Sequence, residues 1–172
     1  MRLKEAADRL KQLELKMSEV YLWCSINFED LEIRQFFSDM SDQELAHARR
    51  LDEIRTSPYA ADIAIGITDE MIQDERKRLD SIVSFVKTGP GLDETMLKIV
   101  DMESGELNLI FESICQSPLV GQKLVNAVCI NTKFHINLLK KAAEQFPLRD
   151  DTKRKIYGLQ VRDKNYYKVF SD

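Results

Sequence analysis

Four long stretches of this chain carry apolar residues at three- and four-residue intervals, and three of them are ended by a proline breaker. The chain is thereby committed to amphipathic helices that must bury their apolar faces on one another. Residues 3–27 carry the stripe Leu10, Leu13, Met17, Val20, Tyr21 and Cys24. A second helix, from residue 29 or 30 to 55, shows Ile33, Phe37, Met40, Leu51 and Ile54 on one face, and Ser57-Pro58 stops it. The connection between these two is so short that they must be antiparallel neighbours. A third helix is predicted over residues 93–116, where Ser117-Pro118 both ends it and starts the fourth, over 118–145, closed by Phe146-Pro147.

Residues 57–92 have a different character and form a crossover between the second and third helices. Small residues come first, and the breaker Thr88-Gly89-Pro90-Gly91 comes last. Within it Thr68 is placed to cap a helix, with Asp69 and Glu70 in the first turn and Met71, Leu79, Ile82, Val83 and Val86 on a narrower apolar face. This segment either packs on the outside of its own bundle or exchanges with a partner chain. The expected fold is all-α: a four-helix bundle over residues 1–147 with a long, partly helical crossover. Residues 148–172, with Ile156, Tyr157, Tyr166, Tyr167, Val169 and Phe170, are expected to form a tail that docks or joins an oligomer contact.

At 172 residues the chain holds one well-buried core rather than two. The 25 basic against 29 acidic residues, a formal charge of -4, give no electrostatic reason for nucleic acid or anionic membrane as partner. The N-terminal Met1-Arg2-Leu3-Lys4-Glu5 lacks an apolar signal core and no apolar run approaches a membrane span, so a cytoplasmic protein is expected. Cys24, Cys115 and Cys129 are odd in number, far apart and set within apolar helical patterns, which reads as reduced thiols filling the core. Met17, Met40, Met96 and Met102 read as packing, and basic runs such as Arg76-Lys77-Arg78 as solvated faces.

Each helix turns polar at its own middle. Glu44 and His47 occupy the two positions that continue the stripe of the second helix, and Glu14 sits between Leu10 and Met17 on the first. Glu103 shares the stripe of Ile99, Leu107, Ile110 and Ile114, with Glu106 one turn on, and Thr132 and His135 fall among Val128, Leu139 and Ala142. Burying several carboxylates together is costly, because desolvation and like-charge repulsion add, and a cation resolves both. Carboxylate oxygens with imidazole nitrogens are the donor set of iron, manganese and zinc rather than of calcium or magnesium. A lone Glu-x-x-His is weak by itself. Here the chain has only 2 histidines, and both fall on inward faces at matching depth.

Taken in order, these motifs resemble the rubrerythrin branch of the ferritin-like superfamily, without a rubredoxin domain. Glu14, seven residues before Tyr21, is similar to the family's first-helix pattern. Glu44-x-x-His47 resembles its second-helix motif, Glu103-x-x-Glu106 its third-helix pair, and His135 the histidine of its fourth-helix motif, with the likeness spanning residues 3–145. The helix pairs and long connection are also the connectivity of that superfamily. One position departs: Thr132 stands where the family carries a glutamate that bridges two irons.

The resemblance implies a non-haem iron protein, with one or two ions per chain, that oxidises ferrous iron or reduces peroxide; manganese or zinc would also suit the donors. Glu14, Glu44 and His47 would hold one ion, and Glu103, Glu106 and His135 a second or the rest of a single site, with Glu44 as the surviving bridge. A peroxidase cycle would need a separate electron-donor protein, and a homodimer or larger homo-oligomer is implied by analogy. The rival readings are a metal-binding or storage module without turnover, which Thr132 favours, and a helical interaction protein with a degenerate site.

Overall fold

The computed structural model describes residues 1–58, 60–103 and 122–159, and of residues 122–132 the backbone alone. The described residues are helical, with helices α1 (Leu3–Asn27), α2 (Leu31–Thr56), α3 (Asp69–Val86), α4 (Leu92–Glu103), α5 (Gln122–Gln145) and α6 (Asp150–Gly158). None of these helices is long and apolar enough to cross a membrane.

Helices α1 and α2 form an antiparallel hairpin. Arg34 donates to the Ser25 carbonyl near the turn, Ser18 and Ser41 share a buried hydrogen bond of 2.8 Å further down, and Lys11 meets Asp52 at 2.9 Å beyond that. The turn works because Asp30 leaves the helical region and accepts from the amides of Glu32 and Ile33 at 2.9 and 3.1 Å, supplying two of the donors that a new helix leaves unmatched. Around this end, Phe36 and Phe37 meet with ring centroids 5.0 Å apart, Phe28 stacks on Phe37 at 5.3 Å, and Phe146 from the end of α5 meets Phe36 edge-on at 5.6 Å. Residues of this kind stabilise by about 1.5–3 kcal/mol each when fully buried.

The start of α1 has no side-chain cap. The crossover supplies the partners instead: Leu3 N–H donates to the Ile63 carbonyl at 2.8 Å and Lys4 N–H to the Ala60 carbonyl at 3.1 Å. In the reverse sense, Ile65 N–H donates to the Met1 carbonyl at 3.1 Å. From there Thr68 caps α3 by accepting from Met71 N–H at 3.2 Å. Helix α3 then runs parallel to α1 on its own chain, tied by ion pairs Arg9–Asp69 and Lys16–Asp80. Its buried face is Ile72, Glu75, Leu79, Ile82 and Val86, with Met71 and Val83 half-buried against the same core. Gly89, with φ of 71°, makes the turn into α4.

Helix α5 lies antiparallel to α2, since Phe146 meets Phe36 and His135 meets Glu44. In the tail, residues 150–158 form α6, which packs on α4 and α5 and buries Thr152 and Ile156. Its pairing with α4 is parallel, with Arg149 on Asp93 and Lys155 on Asp101 at 2.6 Å. The remaining part of the predicted third helix, the start of the fourth, and the tail beyond residue 159 lie outside the described residues.

Candidate metal centre

The polar interruptions of four stripes meet in the interior. Glu14 comes from α1, Glu44 and His47 from α2, Glu103 from the end of α4 and His135 from α5. Glu14, Glu44 and His135 are each 3% exposed and His47 is 9% exposed, so these groups are withdrawn from the water that would otherwise solvate them. The placement follows from register. On α2, Glu44 and His47 are one turn apart on the face that also carries Met40 and Leu51, and the antiparallel pairing brings Glu14 opposite them.

His47 Nδ1 lies 3.0 Å from Glu44 Oε2 and 3.6 Å from Glu14 Oε2. The other oxygen of Glu44, Oε1, lies 3.6 Å from His135 Nδ1, so this one carboxylate faces both rings. The rings lie side by side with centroids 5.8 Å apart and planes 27° apart. On the far edge of His135, Nε2 lies 3.0 Å from Glu103 Oε1, and the same oxygen accepts a hydrogen bond of 2.9 Å from the Tyr21 hydroxyl.

The electrostatics follow from this crowding. Burial, with the negative charge of Glu44 beside it, pushes the Glu14 carboxyl up to about 8. Burial works in the same direction on Glu44, but the positive His135 and the hydrogen bond from His47 outweigh it and bring that carboxyl down to about 2. Burial would lower both histidines; hydrogen bonds to Glu14 and Glu44 hold His47 well above its ordinary value, and the charges of Glu103 and Glu44 raise His135. Burial and the Glu103 charge keep the Tyr21 hydroxyl protonated, as a donor. In the metal-free protein the carboxylates thus favour protonation of the two rings they face.

The donor set fits an ion. One donor atom each from Glu44, His47 and His135 lies within 4.8 Å of the others. Ligands about 2.0–2.2 Å from a common ion sit up to about 4 Å apart, so small movements close this set around one. Both ring nitrogens of His135 are buried near carboxylate oxygens, yet neither makes an aligned hydrogen bond among the described residues. Two imidazoles with a carboxylate suit iron, manganese or zinc better than calcium or magnesium.

Of the sequence-predicted residues, Glu14, Glu44, His47, Glu103 and His135 come together, while Glu106 and the side chain of Thr132 lie outside the described residues. Glu103 stands on the outer edge of His135, away from the three-residue donor set. Three polar features go beyond the sequence expectations. The Ser18–Ser41 bond crosses the hairpin one turn from Glu14 and Glu44, the Tyr21 hydroxyl meets Glu103, and Glu75 is fully buried on α3, where Arg78 donates to it at 3.1 Å. The spacing of Ser18 from Glu14 and of Ser41 from Glu44 is a visible signal for the first. Cys24 is a buried free thiol pushed up to about 12 by burial, which makes it inert, and Met17, Met40, Met96 and Met102 are core residues. Cys115 and the side chain of Cys129 lie outside the described residues.

No protein-family model matches this chain, and neither a curated protein nor a solved structure matches it.

Proposed function

We propose that this chain is a rubrerythrin-like protein of the ferritin-like type: a non-haem metal protein, with iron as the preferred ion, that oxidises ferrous iron or reduces peroxide. The observation that carries the reading is the convergence of Glu44, His47 and His135 within 4.8 Å, buried in an apolar interior. A mixed acid and imidazole cluster at such depth is expensive without a cation, and its residues stand at the positions that the family resemblance marks.

Bound there, a redox metal would supply electron transfer to the oxidant and polarisation of its oxygen. The chain's own part is to hold the donors of α2 and α5 at fixed depth, with Glu14 of α1 beside them, and to exclude bulk water with Met17, Met40 and Leu51. Reduction of peroxide to water takes up a pair of electrons and a pair of protons. The electrons would come from a separate donor protein.

Thr132 favours a second reading, a centre that holds metal without turnover, because a hydroxyl replaces the carboxylate expected one turn before His135. Metal analysis of protein made in iron-supplemented medium tests the shared premise. Iron, manganese or zinc should copurify or rebind anaerobically, and a chain that takes up none of them has no metal function. Peroxide consumption by the iron-loaded protein with a chemical reductant then separates turnover from storage.

A further inference from the structure

Glu103 was expected among the ligands, but its placement gives it another task. The ring nitrogens of an imidazole point away from each other. In His135 the Nδ1 edge faces Glu44, at 3.6 Å from Oε1, while the Nε2 edge faces Glu103, at 3.0 Å from Oε1. An ion bonded to Nδ1, on the side shared with Glu44 and His47, would lie roughly 6 Å or more from that Glu103 oxygen, beyond any coordination bond. Glu103 Oε1 is also engaged by the Tyr21 hydroxyl at 2.9 Å. Tyr21 is fully buried, with its ring stacked 6.3 Å from Phe37, so it is a fixed donor rather than a surface group that could swing away.

We infer that Glu103 is a positioning residue for His135 rather than a metal ligand: steered by Tyr21, it accepts a hydrogen bond from Nε2–H of the metal-bound ring and so presents Nδ1 to an ion held with Glu44 and His47. The inference rests on the metal-centre reading above. A metal-bound histidine commonly gives its second N–H to a carboxylate, which fixes the tautomer and the ring orientation. Here the partner on the outer edge of His135 is itself held by a second buried side chain, a chain of contacts running from α1 through α4 to α5. The described donors then number three, which is a one-ion set with open positions rather than the symmetric two-ion set that the resemblance implies.

Cobalt(II) and zinc are the probes. Cobalt(II) titration of the full chain, followed by its visible absorption, is compared with that of Glu103→Gln and the near-isosteric Tyr21→Phe. Expected is an unchanged band position and stoichiometry in both variants, with affinity reduced about 10–100-fold for Glu103→Gln and less for Tyr21→Phe. A shifted band or a lost ion in Glu103→Gln would make Glu103 a ligand, and unchanged affinity would leave it without a role; either overturns the inference. Nitrogen NMR of the zinc-loaded wild-type chain needs no variant: His135 should be metallated at Nδ1 and protonated at Nε2, and the reverse assignment refutes the proposal. A wild-type chain that takes up neither ion ends the metal-centre reading itself, which is a distinct result from binding that ignores Glu103.

Discussion

Glu44 Oε1 and His135 Nδ1 lie 3.6 Å apart although their helices, α2 and α5, are separated in sequence by the whole crossover and α4. That contact joins the hairpin to the second half of the chain in the interior. Removing either imidazole that faces Glu44 should therefore be felt in metal uptake before it is felt in folding. His135→Ala and His47→Ala are each expected to abolish stoichiometric zinc binding in calorimetry while leaving the helical circular dichroism in place. Full-affinity binding by either variant would remove that histidine from the donor set.

Metal uptake should strengthen with pH. Glu14 is held up to about 8, and His47 and His135 are raised by their carboxylate neighbours, so an ion must displace protons to reach them. Each displaced proton adds about a tenfold gain in apparent affinity per pH unit below its pKa. Zinc titrations between about pH 6 and about pH 8, in weak buffer with an indicator, should show rising affinity and released protons. A flat profile would contradict the donor set.

Metal-free stability should run the other way. Between 4.5 and about 8 the folded chain keeps a proton on Glu14 that the unfolded chain has lost. His47 likewise keeps its proton in the folded state at pH values above 6.5, where the unfolded chain gives it up. Both contributions fall away as pH rises. Glu44 is depressed to about 2, so its contribution is present above 4.5 and is lost as pH falls towards 2. Urea midpoints of the metal-free protein should therefore peak at about pH 4.5, decline from there and fall more steeply above about pH 6.5, and a chelated protein steadiest at the alkaline end would contradict this proton balance.

The C-terminal helix α6 should be held by packing rather than by charge. In its ion pairs Arg149–Asp93 and Lys155–Asp101 the two bases are half-exposed or more, so Arg149→Ala or Lys155→Ala should cost less than about 1 kcal/mol. Ile156 is fully buried, and Ile156→Ala should cost about 2–5 kcal/mol. Denaturant unfolding of the three variants ranks the two kinds of contact.

Thr132 precedes His135 by one turn of α5, the position at which the family resemblance puts a carboxylate. Thr132→Glu should raise the bound metal from about one ion per chain towards a second. Metal analysis after dialysis reads this directly, and an unchanged stoichiometry would show that this substitution is not what limits the centre.

The amphipathic pattern alone makes the helices legible. The bounds of α1 and the stops of α2 and α5 follow from stripe and breaker, and the inward faces of Glu14, Glu44, His47 and His135 follow from their place in those stripes. A periodic pattern says which face is buried and nothing of what lies opposite. For that reason the contact between the Tyr21 hydroxyl and Glu103, and that of Glu103 with the outer edge of His135, cannot be read from the sequence. The burial of Glu75 is hidden because Arg76-Lys77-Arg78 makes its neighbourhood read as solvated; the three bases are exposed, and the acid between Ile72 and Leu79 is not. The helical character of residues 150–158 is masked by charge, since Thr152, Ile156 and Leu159 are the buried part of a sequence otherwise rich in Asp, Lys and Arg.

The backbone bonds between residues 1–4 and 60–65 act as a peg at one end of α1. Glu14 lies eleven residues beyond Leu3, about 16 Å along the axis at the standard rise. The depth of that carboxylate is thus measured out from a distant anchor, as a ruler measures from its zero mark. One residue inserted between the peg and Glu14 would advance the helix by about 1.5 Å and turn it by about 100°. The carboxylate would then leave the interior while every contact at the anchor stayed intact, so that the spacing of this segment is as much a part of the centre as the residues that face it.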